Sequence, residues 1–474
     1  MATPSSRTTP VPCPPHTTER RLMTQIDLRL VPFLIILYLL AFLDRVNIAN
    51  ARAFGLERDL GLEKVQFNTA LVIFFVPYIV LEIPSNIAVK RFSPRVWLSV
   101  CALGFGLVSI CQGLVSSYGG LLTTRFFLGC FESAMFPACF YLLSMWYKRS
   151  EAQKRYSLFF GSTSLAGAFG GLLASAIGNM DGMRGYSGWR WIFILEGVLT
   201  FLFGVLFLFT FPSFPEQATW LTEPERAYIK ARLEADQGHN AAERKITLSD
   251  VKTVMSDVKV WLGGLMYFGL IVPAYSYAYF SPTIIIQTGH YTAIETQLRS
   301  VPPWAVAFGF AMVVAVASDW ARHRFLFAMG AICISVSGFA ILMTVHTNTP
   351  VQYAALFLIC MGTYSAMPII VCWFNMNLGG HHRRAIGTAW QIGFGNIGGI
   401  ISTFSFVADD APLYKKGYSI CVSFICLSAI SCIAYAAVLT RENKKRAKAA
   451  HDVGLTDYEK SELGDLNPQF RYML

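Results

Sequence analysis

Twelve apolar runs dominate the sequence, each close to the roughly 20 residues a helix needs to cross a hydrocarbon layer. They lie near residues 31–52, 67–89, 95–116, 119–143, 157–178 and 190–211, then near 261–287, 300–318, 325–345, 351–376, 384–407 and 417–439. In lipid every backbone polar group must be bonded inside its own segment, so runs of this length fold as helices. Composition agrees. The 474 residues are 54% hydrophobic and 14% charged, where a soluble chain carries about a quarter charged residues. The sequence therefore describes an all-α membrane protein of twelve transmembrane helices, with the lipid bilayer as its first partner.

The runs form two sets of six. The expected organisation is a disordered tail over 1–29, an N-terminal six-helix bundle over 30–212, a linker over 213–258, a C-terminal six-helix bundle over 259–440 and a tail over 441–474. The first tail, MATPSSRTTPVPCPPHTTERR, is polar and proline-rich and has no signal-peptide core. An even span count puts both termini on one side. Basic residues gather in alternate connections (Lys90, Arg91 and Arg95; Lys148, Arg149, Lys154 and Arg155; Arg322 and Arg324; Arg383 and Arg384) and again after the last span. That bias places both termini in the cytoplasm. The net charge of +10 is thus read as topology, and no nucleic-acid partner is expected. Eleven cysteines lie mostly inside apolar runs, without CxxC or Cys/His spacing, so neither a metal site nor a cofactor is expected. Within the linker, Thr222 followed by Pro224 and Glu225 signals the start of a surface helix over 223–236.

The halves read as repeats. EAQKRYSLFFGSTSLAGAFGGLL and GGHHRRAIGTAWQIGFGNIGGII align Arg155 with Arg383, Gly167 with Gly395, and Gly170–Gly171 with Gly398–Gly399. A repeated six-helix bundle implies a substrate site near the midplane between the halves, opened alternately by rocking.

Charges inside the spans mark that site. Asp44 and Arg45 stand side by side in LVPFLIILYLLAFLDRVNIANAR, and Arg125 and Glu132 share the fourth span. A charge at the centre of a bilayer costs at least about 2.5–3.5 kcal/mol. Arg125 and Glu132 lie seven residues apart, nearly two turns, so they share a face but stand about 10 Å apart along the axis. Each needs another partner, and the first span offers two. Adjacent residues diverge by about 100°, so one of Asp44 and Arg45 is expected to face the substrate and the other the fourth span. A guanidinium fork fits carboxylate, and a desolvated acid takes up a proton at modest cost. The combination suits proton-coupled uptake of a small organic anion. Glu82 is expected to pair with loop arginines, and Glu196 to serve helix packing or gating. The second bundle is nearly free of buried charge. Trp373, Asn375, Asn377, Gln391, Asn396, Tyr275, Tyr277 and Tyr279 are candidates for an uncharged lid over the anion.

At these residues the sequence resembles the major facilitator superfamily, and within it the anion:cation symporters of the fungal allantoate and nicotinate permease branch. FLDRVNIANAR, RFFLGCFESAMFPACFYLLSMWYKRSE, SGWRWIFILEG and ATWLTEPER carry the resemblance. It implies a 6+6 fold, with acids at the positions of Asp44 and Glu132 handling protons. It further implies that Arg45 contacts the anion, that Arg125 governs the span-four carboxylate, and that polar groups such as Trp373 and Asn396 line the other side. The superfamily's loop signature is degenerate after the second span, where Arg91 remains. It is better kept after the eighth, with Asp319, Arg322 and Arg324 as gating residues.

The expectation is a monomeric proton symporter for a small carboxylate in the plasma membrane. A facilitator or exporter of an acidic metabolite, or a non-transporting nutrient receptor, are the alternatives. An enzyme is disfavoured, since no clustered nucleophile and base and no Walker-type loop is present.

Overall fold

The computed structural model describes residues 13–63, 65–237, 247–289, 291–321, 323–379, 381–411, 413–449 and 470–474. Its first bundle contains α1 (Glu19–Ala53), a single turn α2 (Leu56–Asp59), α3 (Gln66–Phe92), α4 (Pro94–Gly113), α5 (Tyr118–Glu132), α6 (Met135–Trp146), α7 (Arg149–Gly178) and α8 (Gly188–Thr210). Two connector helices follow, α9 (Glu223–Gln237) and α10 (Leu248–Met255). The second bundle contains α11 (Val258–Gly289), α12 (Ala293–Ala321), α13 (Arg324–Thr344), α14 (Thr349–Met376), α15 (His381–Thr403) and α16 (Lys415–Ala449).

The first helix begins at Glu19, well before the apolar run. Thr18 accepts a hydrogen bond from the Arg21 backbone N–H at 3.3 Å, and Glu19 in the first turn complements the helix dipole. The last helix likewise continues past the apolar run to Ala449. The fourth span is two helices rather than one. Pro137 has no N–H to give the Ser133 carbonyl and its ring crowds that turn, so the chain breaks after Glu132 and restarts at Met135.

Outward surfaces are apolar: Phe209, Val313, Val316, Trp320 and Ile430 are all more than 60% exposed. A face of that kind belongs against acyl chains.

The repeat visible in sequence governs how the halves meet. Gly171 on α7 approaches Ser300 and the Gln297 carbonyl on α12, and Gly399 on α15 lies against the Phe75 ring on α3. A Cβ at either would stand 2.6 or 2.3 Å from its neighbour, so these equivalent glycines permit equivalent helix approaches. The aligned arginines do the same. Arg155, near the start of α7, grips Asp27 of α1 through two bonds of 2.6 and 2.7 Å. Arg383, near the start of α15, pairs with Asp257 just before α11.

The connector helix α9 is docked onto the first bundle. The Glu225 carboxylate accepts from the Thr222 backbone N–H and hydroxyl, both at 2.9 Å, and so caps the helix start. Burial works to raise the Glu225 carboxyl, but the Thr222 bonds and His16 together outweigh it and hold the group below its usual range. Arg232, in the second half of the helix, reaches Glu19 at 2.6 Å and also pairs with Glu151. Residues 470–474 fold back onto the second bundle. The Met473 N–H donates to Asn377 Oδ1 at 2.8 Å, and its carbonyl accepts from Trp373 Nε1 and Asn377 Nδ2, both at 2.9 Å.

One close approach sets the site's geometry. Gly129 on α5 sits so near α3 that a Cβ there would stand 2.1 Å from the Phe74 carbonyl. Gly129→Ala is expected to force α5 away from α3 at a cost of about 1–3 kcal/mol. A fall in melting temperature of the purified protein checks this, and an unchanged value would show that α5 adjusts freely.

Candidate functional site

Arg45 and Asp44 occupy α1 within its buried second half, at 1% and 0% exposure. They point in different directions, as the helical rotation of about 100° per residue requires. Arg45 turns toward the interface between the bundles. Its Nη2 and Nε atoms lie 2.7 and 2.9 Å from Glu132 Oε2, and its Nη1 donates to the Tyr275 hydroxyl of α11 at 2.6 Å. The guanidinium sits over the Phe74 and Tyr78 rings, at 5.0 and 4.8 Å from their centroids, where the ring faces favour a cation. Glu132 Oε1 has no hydrogen-bond partner among the described residues.

Arg45 alone therefore does the two jobs expected of the Asp44–Arg45 pair. It engages the fourth span and faces the cavity. Asp44 turns toward α4, where Ser109 donates to its Oδ1 at 3.1 Å. Arg125 does not reach the Glu132 carboxylate as a hydrogen-bond donor. Its guanidinium points to the backbone carbonyls of Arg45 at 3.3 Å and Ala70 at 3.4 Å, and lies 5.3 Å from the Phe74 ring. It ties α5 to α1 and α3, and so fixes where Arg45 and Glu132 meet.

A cavity lies between the bundles. Its walls are Tyr38, Tyr78, Phe136 and Phe160 from the first half with Tyr267, Tyr275 and Tyr364 from the second, and among the described residues Arg45 is the one arginine or lysine on them. Thr163 and Asn396 add further polar groups, and Asn396 donates to Glu82 Oε2 at 3.5 Å. About 20 Å³ is open to the centre of a water molecule. That admits water but no organic acid.

Several expected residues are placed here and several are not. Arg45, Tyr275 and Asn396 line the cavity. Tyr279 stacks beside Tyr275 with centroids 5.7 Å apart, whereas Tyr277 turns to Trp304 on α12. Trp373 does not line the cavity: its indole is fully buried and bonded to the Met473 carbonyl. Asn377 is occupied by the same segment, and Gln391 donates to the Gly263 carbonyl at 3.1 Å. Glu82 accepts from Asn396 across the bundle interface, and among the described residues no loop arginine, its expected partner, bonds it. Of the gating residues, Asp319 pairs with Arg324, Arg91 is exposed, and Arg322 lies outside the described residues.

Sequence reasoning misses the aromatic wall. Tyr38, Tyr78, Tyr267 and Tyr364 carry no signal that separates a cavity tyrosine from a packing one. The available clue is weak: a tyrosine deep in an apolar run must find a partner for its hydroxyl, and Tyr364 finds the Ala274 carbonyl at 2.9 Å.

Comparison with known proteins agrees with this architecture. Residues 34–403 match the family described as Major Facilitator Superfamily. An MFS-type transporter of Penicillium expansum is 34% identical over 96% of this chain and 91% of its own. The high-affinity nicotinic acid transporter of Saccharomyces cerevisiae is 30% identical over 98% of this chain and 86% of its own. Among solved structures, a bacterial homologue of the human lysosomal transporter Spinster, inward-facing and unoccupied, superposes with a TM-score of 0.67. It shares 14% identity and covers 88% of this chain and 97% of that one.

Proposed function

The chain belongs to the major facilitator superfamily and is a multi-pass membrane transporter, and from that premise we propose that it carries a small monocarboxylate together with protons. The observation that supports this most is Arg45, a buried guanidinium on the cavity wall whose partner is an acid able to take a proton. Arg45 holds Glu132 through a buried ion pair. Protonation of Glu132 removes that competitor and frees the fork for a substrate carboxylate, which it can grip with two charge-assisted bonds. Loading and protonation then favour each other, which is the thermodynamic content of symport.

The aromatic walls favour a substrate with a flat or apolar body, and the nicotinic acid transporter among the relatives supports an aromatic acid. Asp44 is the second proton-coupling acid in this reading. The basic connections support cytoplasmic termini, and the plasma membrane is the residence that uptake requires. Export of an acidic metabolite through the same cavity differs only in the direction of the driving gradient.

The test is a melting screen of the purified protein against nicotinate and other small acids, at acidic and near-neutral pH. A ligand at about 100 times its Kd stabilises by about 2.7 kcal/mol. Stabilisation by a carboxylate, stronger at the acidic pH, is expected. Stabilisation by neutral or cationic compounds alone would make Arg45 structural and overturn the proposal.

A further inference from the structure

The first bundle holds a second polar centre that the cavity does not touch. Asp44 and Glu196 are 0% and 2% exposed, and neither lines the cavity. Asn47 donates to Glu196 Oε2 and accepts from Asn50 Nδ2 at 3.1 Å on its Oδ1. Two carboxylate oxygens, Asp44 Oδ2 and Glu196 Oε1, are buried without a hydrogen-bond partner among the described residues.

What faces this centre is acidic or neutral, with Arg125 of α5 the exception on the Asp44 side. From α4 comes the uncharged Ser109. From α5, Glu132 and Arg125 lie within electrostatic range of Asp44, but Glu132 is held by Arg45 and Arg125 by backbone carbonyls. From α7 the approach is made by Gly170, next to Asn50. On α8 itself, the uncharged Thr200 stands near Asp44, and Arg190 is directed away, to the carbonyls of Gly113 and Val115. The charged group within range of Glu196, among the described residues, is Asp44, itself an acid.

An ionised carboxylate left unpaired in such a place is far costlier than a bound proton. We infer that Glu196 is a second proton-binding carboxyl beside Asp44, remote from the substrate cavity and occupied by a proton at neutral pH. A sodium ion fits less well, because Asn47 turns its amide nitrogen, a donor that cannot ligate a cation, to Glu196, and its amide oxygen already accepts from Asn50. A use for this proton in transport rests on the symport reading above. Its presence does not.

The experiment is infrared spectroscopy of the purified protein, titrated through neutral pH in water and in deuterium oxide. A protonated carboxyl in a dry site gives a separate C=O stretching band that shifts on deuteration. Glu196→Gln is expected to remove one such band at neutral pH, and Glu196→Asp to move it without removing it. The aspartate variant, with the melting curves of both, separates loss of the proton from loss of the fold. Coincident spectra for wild type and Glu196→Gln would overturn the inference, as would disappearance of the band on adding sodium at constant pH. If the band is present but the reconstituted protein moves no protons with any substrate, the symport reading falls while the site stands. Proton-coupled flux without the band overturns the site and leaves the symport reading in place.

Discussion

Arg45→Lys is expected to weaken carboxylate binding by about 10-fold or more, equivalent to about 1.4 kcal/mol. Lysine keeps the charge but replaces a planar fork by a compact ammonium. In the protein the fork is used in full: two nitrogens meet Glu132 and a third meets Tyr275, with the guanidinium lying over Phe74 and Tyr78. An ammonium cannot span those partners at once. The shift of apparent Kd in a ligand-dependent melting titration measures the loss, and an unchanged Kd would remove Arg45 from the anion site. Arg45→Ala is the harsher change. It leaves Glu132 buried opposite an empty space, and breaking a buried pair from one side costs about 3–5 kcal/mol. Its failure to fold would therefore say nothing about binding, which is why lysine is the informative substitution.

Glu132→Gln is expected to abolish accumulation driven by a pH gradient while leaving substrate exchange across the membrane in place. Gln is close in shape and accepts a hydrogen bond from Arg45, but it neither competes as an anion nor titrates. The guanidinium is then permanently available, so binding in the variant should no longer strengthen as the pH falls. The sign follows from the arrangement: in wild type a carboxylate that leaves Arg45 on protonation makes acid favour loading, and removing that acid removes the dependence. Counterflow of labelled against unlabelled substrate, compared with uptake under an imposed gradient, separates the two behaviours. Gradient-driven accumulation retained by the variant would place proton coupling elsewhere.

Much of this fold is legible in the sequence because the bilayer imposes few options. Long apolar runs must be helices, and aligned glycines and arginines such as Gly171 with Gly399 and Arg155 with Arg383 expose the repeat on their own. Asp44, Arg45, Arg125 and Glu132 stand out because charge is rare in such runs. Their partners are less legible. The divergence of Asp44 and Arg45 follows from helix geometry, but which one meets α5 depends on the rotation of α1, and that is set by packing against its neighbours. Trp373 and Asn377 look like site residues because a polar group in an apolar helix usually has a task. In the structure both side chains bond to residues 470–474, a contact no local pattern encodes. Glu82 stands near loop arginines in the chain, whereas the meeting of the two bundles brings it to Asn396 instead. Pro137 is plain as a residue, but its consequence, a break that leaves Glu132 at the end of α5, does not emerge from the pattern of apolar residues alone.

The most direct test of proton-coupled carboxylate transport is proton flux in proteoliposomes held at zero membrane potential, using the acid that stabilises the protein most in the melting screen. With no pH gradient imposed, an inward gradient of that acid is expected to alkalinise the external medium as protons enter with it. The signal should be absent in liposomes without protein and in those carrying Glu132→Gln. Uptake of the acid by the wild-type protein with no accompanying movement of protons would contradict the account.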